Sequence, residues 1–513
     1  MSKIAGIDLG TTFSAISFLN ELARPSIIAN QDGERIMHSA LYFSTDGRIL
    51  TGGDAIRSRY ADASRSVRWI KRHMCDDEYK TLIDDKEYTP SELSSLILQK
   101  LTQDAIPQIG EVTNVVISVP SNFGEVARKA TMDAGKLAGL NVIGIVNEPT
   151  AAAFYYAIEH EISGKVLVFD LGGGTFDVSI ANVSGSDIDI VASSGDHNLG
   201  GYNFDVKLLE FFEKKYKEET GGDLYENEEE KAEFEDYAEE TKKSLSKNEA
   251  VSFRLKGNSG MVRGEITRAD FESIISPDTA RIEMLIEAVL DESDNEPKDI
   301  EKILLVGGSS RIPVVQAMLK RIFGYEPSLV GNVDECVSLG AALYAGLRLM
   351  EDDPSQVDEG IAEGLGDVQV GEVCNHSYGT ISLEHDEITQ KEIFENMIII
   401  PKNTKIPCSK SEVFYTAHEG QEVVKATVTQ GEGSDVDNVF IAAEGTLRLP
   451  PGRPEQCPVE ITYAYDKDQR MKCIFQDQET GTRCVMTLDT KSGEASAEVL
   501  EEQKEKLSAF TLE

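Results

Sequence analysis

The sequence predicts an α/β protein of two similar lobes with a cleft between them, followed by a smaller region of β-strands. Three observations carry that expectation. An acidic, glycine-bearing hairpin occurs twice, as AGIDLGTTFSAI at 5–16 and LVFDLGGGTFDVSI at 167–180. The order of strands and helices after the first copy recurs after the second. Beyond Met350 the texture changes to short alternating runs separated by turn residues.

In the first copy Ile4, Gly6 and Asp8 alternate with Ala5, Ile7 and Leu9 at the period of a strand. Gly10-Thr11-Thr12 turns, and Phe13 to Phe18 returns. A strand at Val115–Val119, a helix from about Phe123 to Leu140 and a strand at Val142–Val146 follow, and Glu148-Pro149 opens the small-residue helix TAAAFYYAIEH. The second copy runs Val166–Phe169, Asp170, Gly172-Gly173-Gly174-Thr175 and Phe176–Ala181. The strand KILLV (302–306) then leads through Gly307-Gly308-Ser309 into the helix RIPVVQAMLKRIF, and Asp334 precedes a second small-residue helix, LGAALYAGL. Two duplicated βββαβα-type halves, roughly 1–160 and 161–350, would each offer one hairpin to a shared phosphate tail. Glycine lets backbone amides approach an anion, threonine hydroxyls add donors, and each aspartate can hold a hydrated cation. A single GGGT loop could equally be a bulge or tight hairpin; the repeated surroundings favour a clamp.

The acidic run ENEEEKAEFEDYAEE contains Phe234, Tyr237, Ala238, Thr241 and Leu245 at the spacing of an amphipathic helix, so its charges solvate an exposed face. Glu239, Lys242, Lys243 and Ser246 lie along a further stripe of that helix. After it, EDDPSQVDEGIAEGLGD is acidic and turn-rich, the composition of a linker (351–373). From Cys374 to Thr490 runs such as VEITYAYDKDQRMKCIF read as strand, turn and strand, hence a β-sandwich.

Composition limits the function. A net charge of −40 repels nucleic acid and anionic membrane surfaces, while a local nest of amides can still bind a small anion. No apolar run is long enough to span a membrane, and MSKIAGIDLG reads as a strand rather than a leader. The seven cysteines are scattered and never form CxxC, as expected of packing residues in a reducing, cytoplasmic compartment. The absence of GxxxxGK[ST] excludes a P-loop enzyme.

IDLGTTFS, NEPTAAA, FDLGGGTFD, LGGYNFD, LLVGGSSRIP and the Asp334 segment resemble the nucleotide signatures of the seventy-kilodalton heat-shock chaperones, the DnaK-type family. The resemblance is dense over 1–350 and thinner beyond. It implies an actin-like ATPase of two RNase H-like lobes followed by a β-sandwich that binds substrate. It also implies binding of ATP or ADP with Mg²⁺ and K⁺, and slow hydrolysis of ATP. In this pattern Asp8 and Asp170 hold Mg²⁺ through water, and Asp177 helps bind the monovalent cation. Gly10, Thr11, Thr12, Gly172, Gly173, Gly174 and Thr175 wrap the phosphates, with Gly200 and Gly201 behind them. Lys71, in VRWIKRHM, stabilises charge on the γ-phosphate, and Glu148 faces the attacking water; a buried structural carboxylate is the alternative for Glu148. Glu239, Lys242, Lys243 and Ser246 contact the adenosine, completed by Gly307, Gly308, Ser309, Arg311 and Asp334. Lys243 stands where the family often has arginine.

The stretches IPKNTKIPCSKSEVFYTAHEGQ, VTQGE and LPPGRPEQCPVEITYAYD resemble the family's substrate-binding β-domain, 374–490 here, which grips an extended peptide. Phe414, Ala417, Val424 and Ala426 fall on its peptide-contacting positions, though each could be ordinary core. Pro120 and Arg128 match the family's allosteric relay. Three departures accompany the match. The residues from 491 to Glu513 make an acidic tail with room for one short helix and not a helical lid. The linker reads Val368-Gln369-Val370-Gly371-Glu372 in place of a leucine run, which predicts weakened docking on the ATPase. Gly144 replaces the arginine that meets a J-domain aspartate. The resemblance implies an ATP-dependent chaperone for extended apolar segments of unfolded client polypeptides, with a J-domain co-chaperone and a nucleotide-exchange factor as further partners. The alternative is a nucleotide-regulated binding protein for one dedicated partner; a small-molecule kinase of the same superfamily is disfavoured by the β-region.

Overall fold

Both predicted hairpins form, and each seeds a mixed sheet. Lys3–Asp8 pairs antiparallel with Phe13–Leu19 and parallel with Val112–Val119, giving the order Asn141–Asn147, Val112–Val119, Lys3–Asp8, Phe13–Leu19, Pro25–Ile27. In the second sheet Gly164–Leu171 pairs antiparallel with Phe176–Ser184 and parallel with Lys302–Val306, and Asp187–Asp196 continues it. A lone parallel bridge from Leu304 to Ser328 stands where the first sheet has Asn141–Asn147. These features come from a computed structural model that describes residues 3–185, 187–328, 331–366, 368–385, 392–466, 470–488 and 497–513.

The two small-residue helices, Glu148–His160 and Cys336–Asp352, pack against each other between the sheets. Alanine and glycine are needed there because the backbones touch: a Cβ on Gly340 would collide with the carbonyl of Ala151. Cys336–Asp352 lies against Lys3–Asp8 of the first sheet, and Glu148–His160 reaches strands of the second. One buried cluster joins Ile4 and Val116 to Val166, Val168 and Ile190 across the two sheets.

The helix Glu228–Leu245 follows its sequence pattern. Ala238, Thr241 and Leu245 are buried, Phe234 and Tyr237 pack against the same core, and Glu228, Glu229 and Glu230 sit in the first turn, where the helix dipole favours acids. Beyond residue 373 two four-stranded antiparallel sheets face each other. One is ordered Glu392–Ile400, Tyr378–His385, Val423–Gln430, Phe440–Arg448, and the other Cys408–Tyr415, Pro458–Tyr465, Met471–Asp477, Arg483–Leu488. Their shared core includes Val428, Leu447, Ile461 and Phe475, and Tyr463 Oη donates across it to the Gly379 carbonyl at 2.7 Å. All seven cysteines are free thiols, four of them buried, in keeping with packing roles.

Two expectations are corrected. The 351–373 linker contains the helix Glu359–Leu365, whose Ile361 and Leu365 enter the shared core, and the strand Gln369–Val373. That strand docks parallel on Asp187–Asp196, with Ile188 opposite Val370 and Asp189 opposite Gly371. The pairing is made by backbone groups, which the loss of leucines leaves in place, and the β-branched Val368 and Val373 are buried beside it. The acidic tail is also more than a short helix. Ala497–Ser508 is helical as expected, but Thr511–Leu512 then joins the first lobe as a strand beside Arg48–Thr51. The expected end of the β-region at 490 falls within residues 489–496, which lie outside the described residues.

Candidate functional site

The two glycine loops meet tip to tip. A Cβ on Gly173 would collide with the Thr12 side chain, and one on Gly174 with the Thr11 side chain. Each loop is held from behind. Gly10 donates to Ser14 Oγ at 3.2 Å, and its carbonyl accepts from Ser39 Oγ at 2.7 Å. Gly172 N–H bonds to the Thr175 carbonyl at 3.1 Å, while Gly201 and Tyr202 donate to the carbonyls of Gly172 and Gly173 at 3.0 and 2.7 Å. The hydrogen bond from Gly200 N–H to Asn203 Oδ1, 3.1 Å, anchors the turn that supports this second loop.

Below the loops, Lys71 Nζ donates to Glu148 Oε1 in a buried ion pair. Lys71 reaches it from the short helix Ile70–His73, and Glu148 opens its helix directly after the strand Asn141–Asn147. Burial works against the lysine's charge, but Glu148 and Asp8 more than offset it and raise its pKa. Asp8, which accepts from Ser118 Oγ at 3.0 Å, is pushed up to about 7 by burial and then by Glu148. Burial and the neighbouring carboxylates raise Asp170 well above the ordinary range. Asp177 is pushed up to about 7 by burial and then by Glu148; its Oδ1 accepts from Ser121 N–H at 2.9 Å, and its Oδ2 is buried without a partner among the described residues. Four crowded acids around one lysine form an environment that a bound cation would relieve, so these residues fit a magnesium-bearing polyphosphate. Among the described residues no three carboxylate, histidine or cysteine side chains converge to grip a metal directly. The chemistry of two carboxylates, Asp8 and Asp170, suits a magnesium ion that keeps several of its waters.

The residues expected to contact adenosine are partly brought together. Lys242 Nζ bonds to Asp205 Oδ2 at 2.6 Å and the Gly201 carbonyl at 3.1 Å, and a Cβ on Gly201 would lie 2.5 Å from Ser309 Oγ, so these residues meet. Lys243 pairs with Glu239 at 3.1 Å, and Ser246 Oγ bonds to the Lys242 carbonyl at 3.1 Å. Gly307 adopts a left-handed φ of 76°, its N–H donates to the Val333 carbonyl at 3.0 Å, and the turn Gly308–Arg311 brings Arg311 to Asp334 at 2.8 Å.

Sequence reasoning passed over Arg72, beside Lys71. Its Nη1 donates to the Gly174 carbonyl at 3.2 Å and to Asn203 Oδ1 at 3.0 Å, and its guanidinium lies 4.8 Å from the Tyr202 ring centre. The arginine-rich wording VRWIKRHM was the available signal. Arg59, which is buried, and Arg68, which is partly buried, likewise reach Asp236 on the helix Glu228–Leu245.

Pro120 and Arg128 lie on the side of the site facing the β-region. The Pro120 carbonyl accepts from Phe123 N–H at 3.1 Å, and buried Arg128 donates to the Phe123 carbonyl and to Asn147 Oδ1, each at 2.8 Å. Asn147 Nδ2 donates to Glu372 Oε2 at 3.0 Å. The β-region docks nearby. Tyr378 Oη donates to Glu125 Oε1 at 2.8 Å, and Lys402 Nζ and Asn403 Nδ2 reach the Glu292 carboxylate at 2.9 and 2.8 Å.

A groove of about 1150 Å³ opens on the β-region. Phe414, Ala417 and Val424 line it with Phe394, Met397 and Tyr415. Ala426 does not. It is fully buried between the two sheets, because its place along Val423–Gln430 falls where that strand enters the core. Gly144 has open space: a Cβ there would make only ordinary contacts with Val116 and the Arg348 side chain, 3.8 and 3.9 Å away.

The sequence matches the Hsp70 protein family over residues 4–83 and 75–511. It is 36% identical over 494 residues to the chaperone protein DnaK of Thermosipho melanesiensis, covering 94% of this chain and 80% of the relative. It is 37% identical over 487 residues to the DnaK chaperone of Thermosipho africanus, covering 93% and 78%. The corresponding protein of Thermotoga neapolitana is 36% identical over 488 residues, covering 93% and 79%. With its opposed glycine loops, buried lysine–glutamate pair and near full-length similarity to these chaperones, the chain belongs to the Hsp70 family.

Proposed function

We propose that the protein is an ATP-dependent molecular chaperone that hydrolyses ATP to ADP and phosphate and thereby regulates its hold on extended apolar segments of unfolded proteins. The observation that carries this reading is the covalent and hydrogen-bonded path from the strand leading into the β-region to the buried catalytic pair: Glu372 to Asn147, and Asn147 directly to Glu148.

In this reading residues 1–350 are an actin-like ATPase of two RNase H-like lobes, 351–373 connect it to a β-sandwich at 374–490, and 491–513 follow. The repeated strand order of the two mixed sheets supports the first part, and the facing four-stranded sheets support the second. Thr11, Thr12 and Thr175 donate to phosphate oxygens beside the amides of Gly10 and Gly172 to Gly174, and the set from Gly200 to Asp334 receives the nucleoside. Lys71 neutralises charge on the terminal phosphate, and Glu148 orients the attacking water, whose proton it can accept. Asp8 and Asp170 would hold magnesium, which would supply charge neutralisation along the polyphosphate. Asp177, with its unpartnered Oδ2, serves a potassium ion. Little covalent chemistry is asked of the protein; positioning and electrostatics suffice.

Client segments would lie extended against the groove lined by Phe414 and Val424, held by backbone hydrogen bonds and an apolar pocket. A J-domain co-chaperone and a nucleotide-exchange factor are the proposed partners, and the cytoplasm the proposed location. The test is ATP hydrolysis measured together with release of a fluorescent apolar peptide. Slow turnover with ATP-accelerated release is expected. Turnover without any bound peptide, on a broad peptide array, would leave the dedicated-partner reading in its place.

A further inference from the structure

The segment 497–513 is built into the first lobe more thoroughly than an acidic tail would be. Leu507 is buried in the lobe's core, and Phe510 and Leu512 pack against it. The Phe510 ring meets Phe43 edge-on, with centroids 5.4 Å apart. Thr511 and Leu512 pair parallel with Arg48 and Ile49, Thr511 N–H donating to the Gly47 carbonyl at 3.1 Å and Glu513 N–H to the Ile49 carbonyl at 2.8 Å. Lys506 pairs with Glu92, 2% exposed, at 2.8 Å and stands 4.1 Å from the Tyr88 ring centre. Arg48 meets Glu513 at 2.8 Å, and Thr51 Oγ1 donates to the Glu513 carbonyl at 2.9 Å.

Glu92 is itself committed to the fold. Its carboxylate accepts from Thr89 N–H at 2.7 Å and closes the capping box that starts the helix Pro90–Ile109. Lys506 thus supplies the cation to a buried carboxylate that the first lobe cannot release. A surface that merely parks a mobile element would be polar and separable. This one shares its core residues, a sheet edge and a buried ion pair with the lobe.

We propose that the edge strand Arg48–Thr51, with the slot formed by Phe43 and Tyr88, is a dedicated docking surface for the 497–513 segment of the same chain. The segment is a permanent strap: it stays on the lobe whatever nucleotide is bound and keeps the β-region tethered near the ATPase throughout. The nucleotide independence rests on the proposed function; the docking itself does not.

Hydrogen exchange on the wild-type full chain tests both. Without nucleotide, with ADP and with ATP, the amides of Thr511 and Glu513 should exchange on the order of 100-fold or more slower than in a free peptide, as do amides inside a cooperative unit. Protection that appears only with ATP overturns permanence, and protection in no state overturns the docking. ATP hydrolysis is measured on the same sample, so failure of the nucleotide reading is seen separately. Phe510→Ser should raise exchange at Thr511 and Glu513 with unchanged exchange in the β-region; no change at those two amides overturns the packing role given to Phe510. Sedimentation should return a monomer. A dimer that exchanges labelled subunits would mean that the surface holds a second copy's segment, and overturns the strap.

Discussion

Asn147 holds two side chains at once: its carbonyl oxygen accepts from Arg128 at 2.8 Å, and its amide nitrogen donates to Glu372 at 3.0 Å. It is also the residue before Glu148, at the start of the helix that carries the carboxylate paired with Lys71. A docked strand and an arginine of the first lobe therefore share one side chain, on the residue that precedes the helix carrying Glu148. Movement of Gln369–Val373 away from Asp187–Asp196 would break the Asn147–Glu372 bond, one residue from Glu148.

Lys71→Ala should lower single-turnover ATP hydrolysis by roughly 100-fold or more, the usual loss when one preorganised charge is removed. Nucleotide binding should persist, because the loops at 10–12 and 172–175 are buttressed without the lysine. Wild-type single-turnover rates in the variant would remove Lys71 from catalysis.

Glu372 should make docking of its strand depend on pH. Burial pushes its carboxyl up from 4.5 to about 7, against the lowering effect of hydrogen bonds from Thr150 and Asn147 and of nearby Arg128. The docked strand thus holds the proton more tightly than a freed one. The stabilisation is fully present below about 4.5 and is lost as pH rises through about 7, a change on the order of 3 kcal/mol. Exchange protection of Gln369–Val373 should fall between pH 5 and pH 8 in the wild type, with the pH values chosen to bracket that range at about those limits. Glu372→Gln should flatten the profile; an equal pH slope in the variant assigns the effect to other carboxyls such as Asp8 and Asp177.

Val424→Phe and Ala426→Leu should separate groove from core. Val424 lines the groove, so phenylalanine there should abolish peptide binding and spare basal hydrolysis. Ala426 is fully buried, so leucine should overpack the sheets and cost about 1–3 kcal/mol in stability of the β-region. Calorimetry beside peptide anisotropy checks both, and peptide affinity unchanged by Val424→Phe would move the binding surface elsewhere.

Stimulation of hydrolysis by a general J-domain protein should be weak, because Gly144 presents no cation. A Cβ at Gly144 would make only ordinary contacts, and Gly144→Arg should strengthen stimulation. The gain should fall short of a full bidentate pair, about 1.5–3 kcal/mol, because Arg348 Nε already lies 3.9 Å from the Cβ position at residue 144. Strong stimulation of the wild type would show that another residue makes the contact.

Much of this molecule was legible in one sequence because its signals are local. Alternation around Asp8 and Asp170 gave the two hairpins, the spacing from Phe234 to Leu245 gave a helix with its buried face, and Pro458–Tyr465 with Met471–Asp477 gave a strand pair, since side-chain period reports which face is buried. Motif wording located the residues around the cleft. What the tertiary structure decided is what depends on contacts between distant segments. Val368 to Glu372 looked like a poor docking sequence, yet a free sheet edge accepts backbone and asks little of side chains. Ala426 and Val424 share one strand and one residue class, and only the packing of the second sheet puts one in the core and the other on the groove. Arg72 and Lys506 are ordinary surface cations by sequence. The fold brings Gly174 to the first and Glu92 to the second, across 102 and 414 positions of chain, a separation no local pattern encodes.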